Sequence, residues 1–248
     1  MSEVLLKAEN LEVAFGGVKA ADGVNLTIDK GEFVAIIGPN GSGKTTFLNL
    51  CTGYIRPVSG HVWLGDQEIT RMAPRQIARR GIARAFQIPQ LFTDHNVIEN
   101  VMLAIASREG IWQAFTALDR PKYRAEAMEL LELLNLGDYA ETMAGTLPEG
   151  LRKLADVTVA MALRPQLLLL DEPTSGVSAL ERFPLMDTLM KAMKARGVTA
   201  LFVEHDMEIV ENYADRVVVW NAGTVMAEGT PAEVMKDPRV LENVVGIV

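Results

Sequence analysis

The feature that most constrains this chain is residues 38–45, which read Gly-Pro-Asn-Gly-Ser-Gly-Lys-Thr. They fit the pattern G-x-x-x-x-G-K-[ST] without a mismatch. An apolar stretch at residues 33–37 precedes them and predicts a buried strand, and apolar residues at helical spacing follow. Strand, glycine loop and helix start therefore stand in the order that a phosphate-binding loop requires. The alternative is a glycine turn with an incidental lysine.

Each residue type in this run has a role in binding a nucleoside triphosphate. Glycines lack a Cβ, so several backbone N–H groups can converge on phosphate oxygens. The lysine places a cation on the β and γ phosphates, and the threonine hydroxyl ligates the Mg²⁺ that bridges them. The predicted nucleotide-binding residues of this segment are Gly38, Pro39, Asn40, Gly41, Ser42, Gly43, Lys44, Thr45 and Thr46, with Thr45 also a Mg²⁺ ligand.

The composition limits the class of protein. The chain has 248 residues, of which 49% are hydrophobic and 23% charged, so it can form one large α/β domain or a core with an inserted subdomain. Its net charge of −8 disfavours nucleic acid as the main partner. A single cysteine, Cys51, excludes an internal disulfide and favours a reducing compartment. Neither a signal peptide nor a membrane span is evident, so a role at a membrane would be peripheral.

The hydrophobic pattern changes along the chain. Residues 5–28 predict short alternating strands joined by glycine turns, which favour an antiparallel sheet. Apolar residues at helical spacing dominate 88–163 and predict a helical insertion. Buried strands return at 167–170 and 198–203, and a hairpin and a helix close the chain. We therefore predict a core formed by 1–87 and 164–248, with 88–163 as a helical subdomain.

Two carboxylates, Asp171 and Glu172, follow the predicted strand at 167–170. Open α/β sheets place their ligands at the carboxyl ends of the strands. Asp171 is therefore predicted to hold Mg²⁺, and Glu172 to orient or deprotonate an attacking water. The alternative is an acidic turn that caps the next helix.

Three further residues are candidates by position. His205 follows the buried strand at 198–203, where it could contact the γ-phosphate, although a lone histidine is usually structural. Gln87 is a polar amide at the end of a short strand and, in isolation, would be read as a surface glutamine. Phe15 at a strand tip could stack on a purine or could belong to the core or a sheet edge.

Taken in order, these motifs resemble the nucleotide-binding subunit of ABC transporters over essentially the whole chain. Phe15 resembles the adenine-stacking aromatic, 38–45 the Walker A loop and Gln87 the Q-loop. Residues 167–172 resemble Walker B with its catalytic glutamate, and His205 the switch histidine. The resemblance implies an α/β P-loop NTPase (RecA-like) core with an N-terminal antiparallel β subdomain and an inserted α-helical subdomain. It also implies ATP and Mg²⁺ as cofactors, with Glu172, His205 and Gln87 catalytic and Gln87 also a metal ligand.

Within that family, three phrases look most like the ATPases of branched-chain amino-acid-type importers: residues 84–87, 99–101 and 227–231. This resemblance implies a cytoplasmic subunit that is peripheral on the inner face of the plasma membrane. It would dimerise on binding ATP and push on permease subunits that dock near Gln87 to Asn96. The cargo cannot be read from these residues.

The chain departs from the family where a Leu-Ser-Gly-Gly-Gln signature is expected. It has Leu147, Pro148, Glu149, Gly150 and Leu151 instead. In the family, this segment of one subunit closes over ATP bound to the other. Pro148 offers neither a hydroxyl nor an N–H to the γ-phosphate, and Glu149 brings a negative charge toward it. We therefore expect a heterodimer, in which a second ABC ATPase subunit supplies an intact signature.

Two other functions stay open. One is a soluble ABC-type ATPase that acts on nucleic acid or ribosomes, which the single cassette and the acidic balance disfavour. The other is an ATP clamp that does not hydrolyse, which the degenerate signature favours if the chain pairs with itself. A further departure, Ser178 where the family commonly has aspartate, weakens the expectation of communication between two ATP sites.

Overall fold

The computed structural model describes residues 3–110 and 120–242. Residues 111–119, which belong to the predicted helical insertion, lie outside the described residues. The chain divides into two compact units, and each is described by itself. The first consists of Met1–Ala78 with Thr199–Val248, and the second of Arg79–Val198. The subdomain boundaries given above stay a prediction.

The strands are numbered in chain order. They are β1 Val4–Phe15, β2 Val18–Asp29, β3 Phe33–Ile37, β4 Ser59–Leu64, β5 Gln67–Glu68, β6 Ile82–Ala85, β7 Leu167–Asp171, β8 Thr199–Val203, β9 Arg216–Asn221 and β10 Thr224–Gly229.

The α-helices and two 3₁₀ turns fill the connections. They are α1 Lys44–Cys51, α2 Pro74–Arg80, α3 Val97–Arg108, α4 Pro121–Leu133, the 3₁₀ turns Gly137–Tyr139 and Ala144–Thr146, α5 Glu149–Ala162, α6 Ala179–Arg196, α7 Met207–Tyr213, α8 Pro231–Val234 and α9 Pro238–Val240.

The first unit contains an antiparallel sheet of order β2-β1-β4-β5. The prediction of antiparallel strands is confirmed, but the prediction of several short strands is wrong, because β1 and β2 are continuous over 12 residues each. Their register shifts between Ala8 and Leu11, where Asn10 has a φ of 47°. This irregularity lets one strand continue through what reads as a turn in the sequence.

The first unit also contains the strand that leads into the glycine loop. β3 pairs in parallel with β8 on one side and with β9 on the other, and β10 pairs antiparallel with β9. All five residues of β3 and all five of β8 are buried, as expected for parallel strands covered on both faces. The predicted hairpin is confirmed, with its turn at Ala222 and Gly223. Parallel pairing brings the ends of β3 and β8 to the same edge.

The second unit combines a parallel strand pair, β6 and β7, with helices. Helices α3, α4 and α5 pack on one another through apolar faces, and α5 also packs on β6 and α6. Ile98, Val101 and Ile105 of α3 are completely buried, as is Leu131 of α4. The predicted helices are therefore confirmed in the described part of the insertion. Among the described residues, no helix is both long enough and apolar enough to span a bilayer.

Candidate functional site

The glycine loop of the first unit connects β3 to α1 and needs glycine for two reasons. Gly38, Gly41 and Gly43 have φ values of 150°, 77° and 111°, which side chains rarely adopt. A Cβ at Gly38 would lie 2.0 Å from the carbonyl oxygen of Trp220, and one at Gly43 would lie 2.1 Å from that of Ala20. The loop therefore fits closely against its own backbone neighbours, as a rigid phosphate cradle must.

The side chain of Lys44 is buried and forms hydrogen bonds to the backbone of its own loop. Lys44 is 5% exposed, and its Nζ donates hydrogen bonds to the carbonyl oxygens of Gly38 at 2.7 Å and Pro39 at 2.9 Å. The Oγ of Ser42 is buried and has no hydrogen-bond partner among the described residues. Thr45 is exposed at the start of α1. An ammonium, a hydroxyl and a helix N-terminus thus come together, which is the donor set that a phosphate group requires.

The β9–β10 hairpin packs against this loop. The backbone N–H of Gly223 donates to the carbonyl oxygen of Ser42 at 2.8 Å, and the ring of Trp220 lies 5.0 Å from that of Phe47 in α1. Trp220 is completely buried. The sequence predicts the hairpin but not this role, because nothing in the local pattern indicates which loop a hairpin will contact.

His205 is placed beside the glycine loop. It is exposed two residues after the end of β8, and its backbone N–H donates to the carboxylate of the buried Glu204 at 3.2 Å. A cavity of about 140 Å³ is lined by both residues together with the loop. Its lining residues are Ile37, Gly38, Pro39, Asn40, Glu204, His205 and Met207. The structure therefore brings His205 to the loop, as a γ-phosphate contact requires.

The end of β7 in the second unit carries a buried ion pair that the sequence analysis missed. The Nη2 of Arg84 lies 2.5 Å from the Oδ2 of Asp171, and both side chains are 5% exposed. The Oδ1 of Asp171 is buried and has no hydrogen-bond partner among the described residues. One carboxylate oxygen is thus fixed by a guanidinium, while the other remains a hard oxygen ligand of the kind that Mg²⁺ prefers.

Glu172 and Gln87, two of the predicted catalytic residues, are in direct contact. The Nε2 of Gln87 donates to the Oε2 of Glu172 at 2.7 Å. Glu172 has a φ of 51°, a conformation that costs a non-glycine residue about 1–3 kcal/mol and is found mostly at functional sites. The acidic residues are not a helix cap, because the next helix, α6, begins only at Ala179.

A metal site made of protein side chains alone is not present in the described part of the chain, where no three His, Cys, Asp or Glu residues cluster suitably. Mg²⁺ commonly uses one or two protein ligands and completes its shell with phosphate oxygens and waters. Within the second unit, the buried Oδ1 of Asp171 is an oxygen ligand that fits a cation arriving with a nucleotide.

Two buried charged residues of α5 contact the segment around Gln87, and the sequence analysis missed both. The Nζ of Lys153 donates to the carbonyl oxygens of Gln87 at 3.3 Å and Glu172 at 2.8 Å. Asp156 accepts hydrogen bonds from the backbone N–H groups of Phe86 at 3.0 Å and Gln90 at 2.9 Å. Burial raises the pKa of Asp156 to about 6, against these hydrogen bonds and the charge of Lys153. The available sequence signal was two charges three residues apart within an apolar helical run.

The altered signature, residues 147–151, forms the start of α5. Pro148 is the residue before the helix, with extended backbone angles, and Glu149 is the first helical residue. The carboxylate of Glu149 pairs with the guanidinium of Arg152, and both side chains are partly exposed. The negative charge expected from the sequence is therefore balanced locally by the Arg152 guanidinium.

We call Gln87 to Asn96 the docking segment, after its predicted role. Ile88 and Phe92 are 74% and 61% exposed, which is unusual for large apolar side chains. The buried Asn100 accepts a hydrogen bond from the N–H of Phe92 at 2.8 Å and donates one to its carbonyl oxygen at 3.2 Å. The backbone is therefore anchored while the side chains face outward. The docking function itself stays a prediction.

Phe15 is the last residue of β1 and is 49% exposed, and its stacking on a purine stays a prediction. Cys51 is completely buried in α1.

Two family models match the chain. The ABC transporter family matches residues 21–175, more than half of the chain. The branched-chain amino acid ATP-binding cassette transporter family matches residues 224–243.

Curated relatives match over nearly the full length. The chain is 36% identical to the high-affinity branched-chain amino acid transport ATP-binding protein BraF of Pseudomonas aeruginosa, with 99% of each chain covered. It is 35% identical to LivG of Escherichia coli, which carries the same description, again with 99% of each covered. A probable LivG of Archaeoglobus fulgidus is also 35% identical, with 98% of this chain and 95% of that protein covered.

Solved structures match the fold. The ADP conformation of MJ1267, an ATP-binding cassette of an ABC transporter, superposes with a TM-score of 0.85 at 32% identity and covers 98% of this chain and 99% of that one. CbiO1 of Clostridium perfringens, part of the ABC transporter complex cbiONQ, superposes with a TM-score of 0.82 at 28% identity, covering 98% and 94%.

Proposed function

The chain belongs to the ABC transporter family as an ATP-binding, ATP-hydrolysing cassette, and from this premise we propose that it powers an importer of amino acids or similar small polar solutes. The observation that carries the proposal is the full-length similarity to ATP-binding proteins of branched-chain amino acid transport. The match of residues 224–243 to the corresponding family supports the same substrate class.

We assign the nucleotide-binding role to the glycine loop. Its backbone N–H groups and Lys44 would bind the phosphates, and Phe15 would stack on the adenine. Thr45 and the Oδ1 of Asp171 would hold Mg²⁺, with Gln87 as a further ligand. When bound with ATP, Mg²⁺ neutralises charge on the β and γ phosphates. Arg84 keeps the other oxygen of Asp171 occupied, and so limits how that carboxylate can turn.

We assign the hydrolytic role to Glu172. Its carboxylate would accept a proton from the attacking water or orient it. The amide of Gln87 holds one oxygen of that carboxylate at 2.7 Å. His205, exposed beside the glycine loop, would contact the γ-phosphate.

We propose that the protein acts at the inner face of the plasma membrane, peripherally, beneath permease subunits. The exposed apolar side chains of Ile88 and Phe92 on the docking segment support this role. The segment begins at Gln87, which contacts Glu172, so a conformational change at the nucleotide site would reach a permease through a few residues.

We also propose that its functional partner is a second ABC ATPase subunit with an intact signature. The support is that residues 147–151 retain only Leu147 and Gly150 of the family pattern. A chain that paired only with itself would have two altered signatures.

The variant Glu172→Gln tests the proposal. In a complex purified through a tag on this chain, Mg-ATP should remain bound while turnover falls at least about 100-fold, the usual contribution of a general base. Glu132→Gln, an exposed carboxylate on α4, is the matched control and should hydrolyse normally. Normal turnover by Glu172→Gln would show that another group is the base. Failure of the unmodified chain to take up Mg-ATP would overturn the proposed function as a whole.

A further inference from the structure

Two charged side chains of α5 are buried where charges are normally excluded. Lys153 is 4% exposed and Asp156 is 5% exposed. They lie one helical turn apart on the same face of the helix. A buried charge is unfavourable unless hydrogen bonds satisfy it. Both side chains form hydrogen bonds to backbone atoms of other segments, so these charges hold main chain in place.

Lys153 joins two loops that both belong to the proposed catalytic machinery. Its ammonium group binds the carbonyl oxygens of Gln87 and Glu172, the same two residues whose side chains bond to each other. The backbone of Glu172 is in a left-handed conformation that its own chain does not favour. A cation on its carbonyl oxygen helps to hold that conformation.

Asp156 binds the same loop on both sides of Gln87. One carboxylate oxygen accepts from the N–H of Phe86 and the other from the N–H of Gln90. Both backbone groups are donors, so a side chain with two acceptor oxygens satisfies them, whereas an amide would turn an NH₂ group toward one of them. The start of the docking segment is thereby fastened to α5.

We propose that Lys153 and Asp156 are positioning residues, which make α5 a rigid link between the docking segment and the backbone of Glu172. The inference rests on the proposed function, since it takes Glu172 as the catalytic base. When a permease shifts the docking segment, the link transmits the shift to Glu172, and it does the reverse when ATP is hydrolysed. The same helix begins at the altered signature, so a partner subunit that contacts residues 147–151 acts on the same rigid element.

The substitution Lys153→Met tests the link at Glu172. Methionine keeps an unbranched apolar chain but removes both hydrogen bonds. We expect kcat for Mg-ATP hydrolysis to fall about 10- to 100-fold, the effect of misplacing a catalytic group by about 1 Å, while KM for ATP stays within about twofold. Lys153→Arg, which retains a cationic donor, should recover most of the rate. Lys191→Met, an exposed lysine on α6, is the matched control and should behave like the unmodified chain.

The substitution Asp156→Asn tests the link at the docking segment and is nearly isosteric, so it decides the matter if Lys153→Met does not fold. In the purified transporter complex we expect stimulation of the ATPase by transported solute to fall about 10-fold, with Mg-ATP binding retained.

Full activity and full stimulation in both variants would overturn the inference. So would equal losses of ATP affinity and kcat, which indicate general damage. If Glu172→Gln abolishes turnover while the α5 variants are normal, this inference fails and the proposed function stands.

Discussion

The glycine loop at 38–45 and the altered signature at 147–151 both lead into a helix, yet the structure constrains them differently. A Cβ at Gly38 would lie 2.0 Å from a backbone oxygen of Trp220. A Cβ at Gly150 would meet nothing closer than 3.9 Å, and its φ is ordinary. The first segment is therefore constrained by its own fold. The second has no such constraint at Gly150, so this position can change without harm to the chain that carries it.

The details of the altered segment agree with this conclusion. Pro148 stands before the first turn of α5, where a missing N–H removes no helical hydrogen bond. Glu149 lies in the first turn, where a negative charge interacts favourably with the helix dipole, and it pairs with Arg152. The replacements thus suit the helix start while they remove the groups that a phosphate would need.

The sharpest test of this difference is the same substitution in both segments. Gly38→Ala should destabilise the fold by about 3–4 kcal/mol, since it combines a close backbone clash with an unfavourable φ, and it should abolish uptake of Mg-ATP. Gly150→Ala should stabilise the fold by up to about 1 kcal/mol, because alanine is the better residue inside a helix. Urea unfolding measures both free energies. Equal destabilisation by the two substitutions would contradict the comparison.

Beyond its first turn, α5 is again constrained by the fold, since Asp156 is buried against other segments of the chain. The pH dependence of the free energy of unfolding reports this burial. Burial raises the pKa of this carboxyl from 3.8 to about 6, so between these pH values the folded state binds more protons than the unfolded state. The free energy of unfolding therefore loses a contribution of about 3 kcal/mol as the pH rises from 4 to 7. Asp156→Asn lacks this loss, so its stability relative to the unmodified chain should rise by that amount over the same range.

Urea unfolding of both proteins at several pH values checks this prediction. Glu109→Gln is a control of opposite sign, because hydrogen bonds from Lys122 and Tyr123 lower the pKa of Glu109. Its stability relative to the unmodified chain should fall as the pH rises. A flat difference for Asp156→Asn would mean that the carboxyl is not buried as described.

The features that could be predicted from the sequence depend on short-range patterns. The glycine loop, the buried strands β3, β7 and β8, and the C-terminal hairpin are each encoded within a few consecutive residues. The catalytic role expected of Gln87 came only from the resemblance to a family, since nothing local distinguishes it from a surface glutamine. Its hydrogen bond to Glu172 at 2.7 Å was not predicted, because nothing local pairs a glutamine with a distant carboxylate.

The features that could not be predicted depend on which distant segments meet. Arg84 reads as one more polar residue in a short strand, and its pairing with Asp171 arises because β6 lies beside β7. Lys153 and Asp156 read as the polar face of a helix, but that face is covered by the docking segment. Trp220 reads as a strand residue, and its contact with the glycine loop requires the fold of the whole first unit.

The smallest effect we predict comes from restoring the altered segment. Pro148→Ser together with Glu149→Gly returns a hydroxyl and a backbone N–H and removes a carboxylate, so two copies of this chain could close over ATP. We expect the purified chain alone to hydrolyse Mg-ATP about 10-fold faster, which corresponds to about 1.4 kcal/mol of the barrier. Its free energy of unfolding should change by less than about 1 kcal/mol, because the partly exposed Glu149–Arg152 pair contributes little. Adding Glu172→Gln must remove the gain, which ties it to the same catalytic carboxylate. An unchanged rate would mean that something other than residues 147–151 limits Mg-ATP hydrolysis by the isolated chain. The difference between the two segments would then have no consequence for hydrolysis.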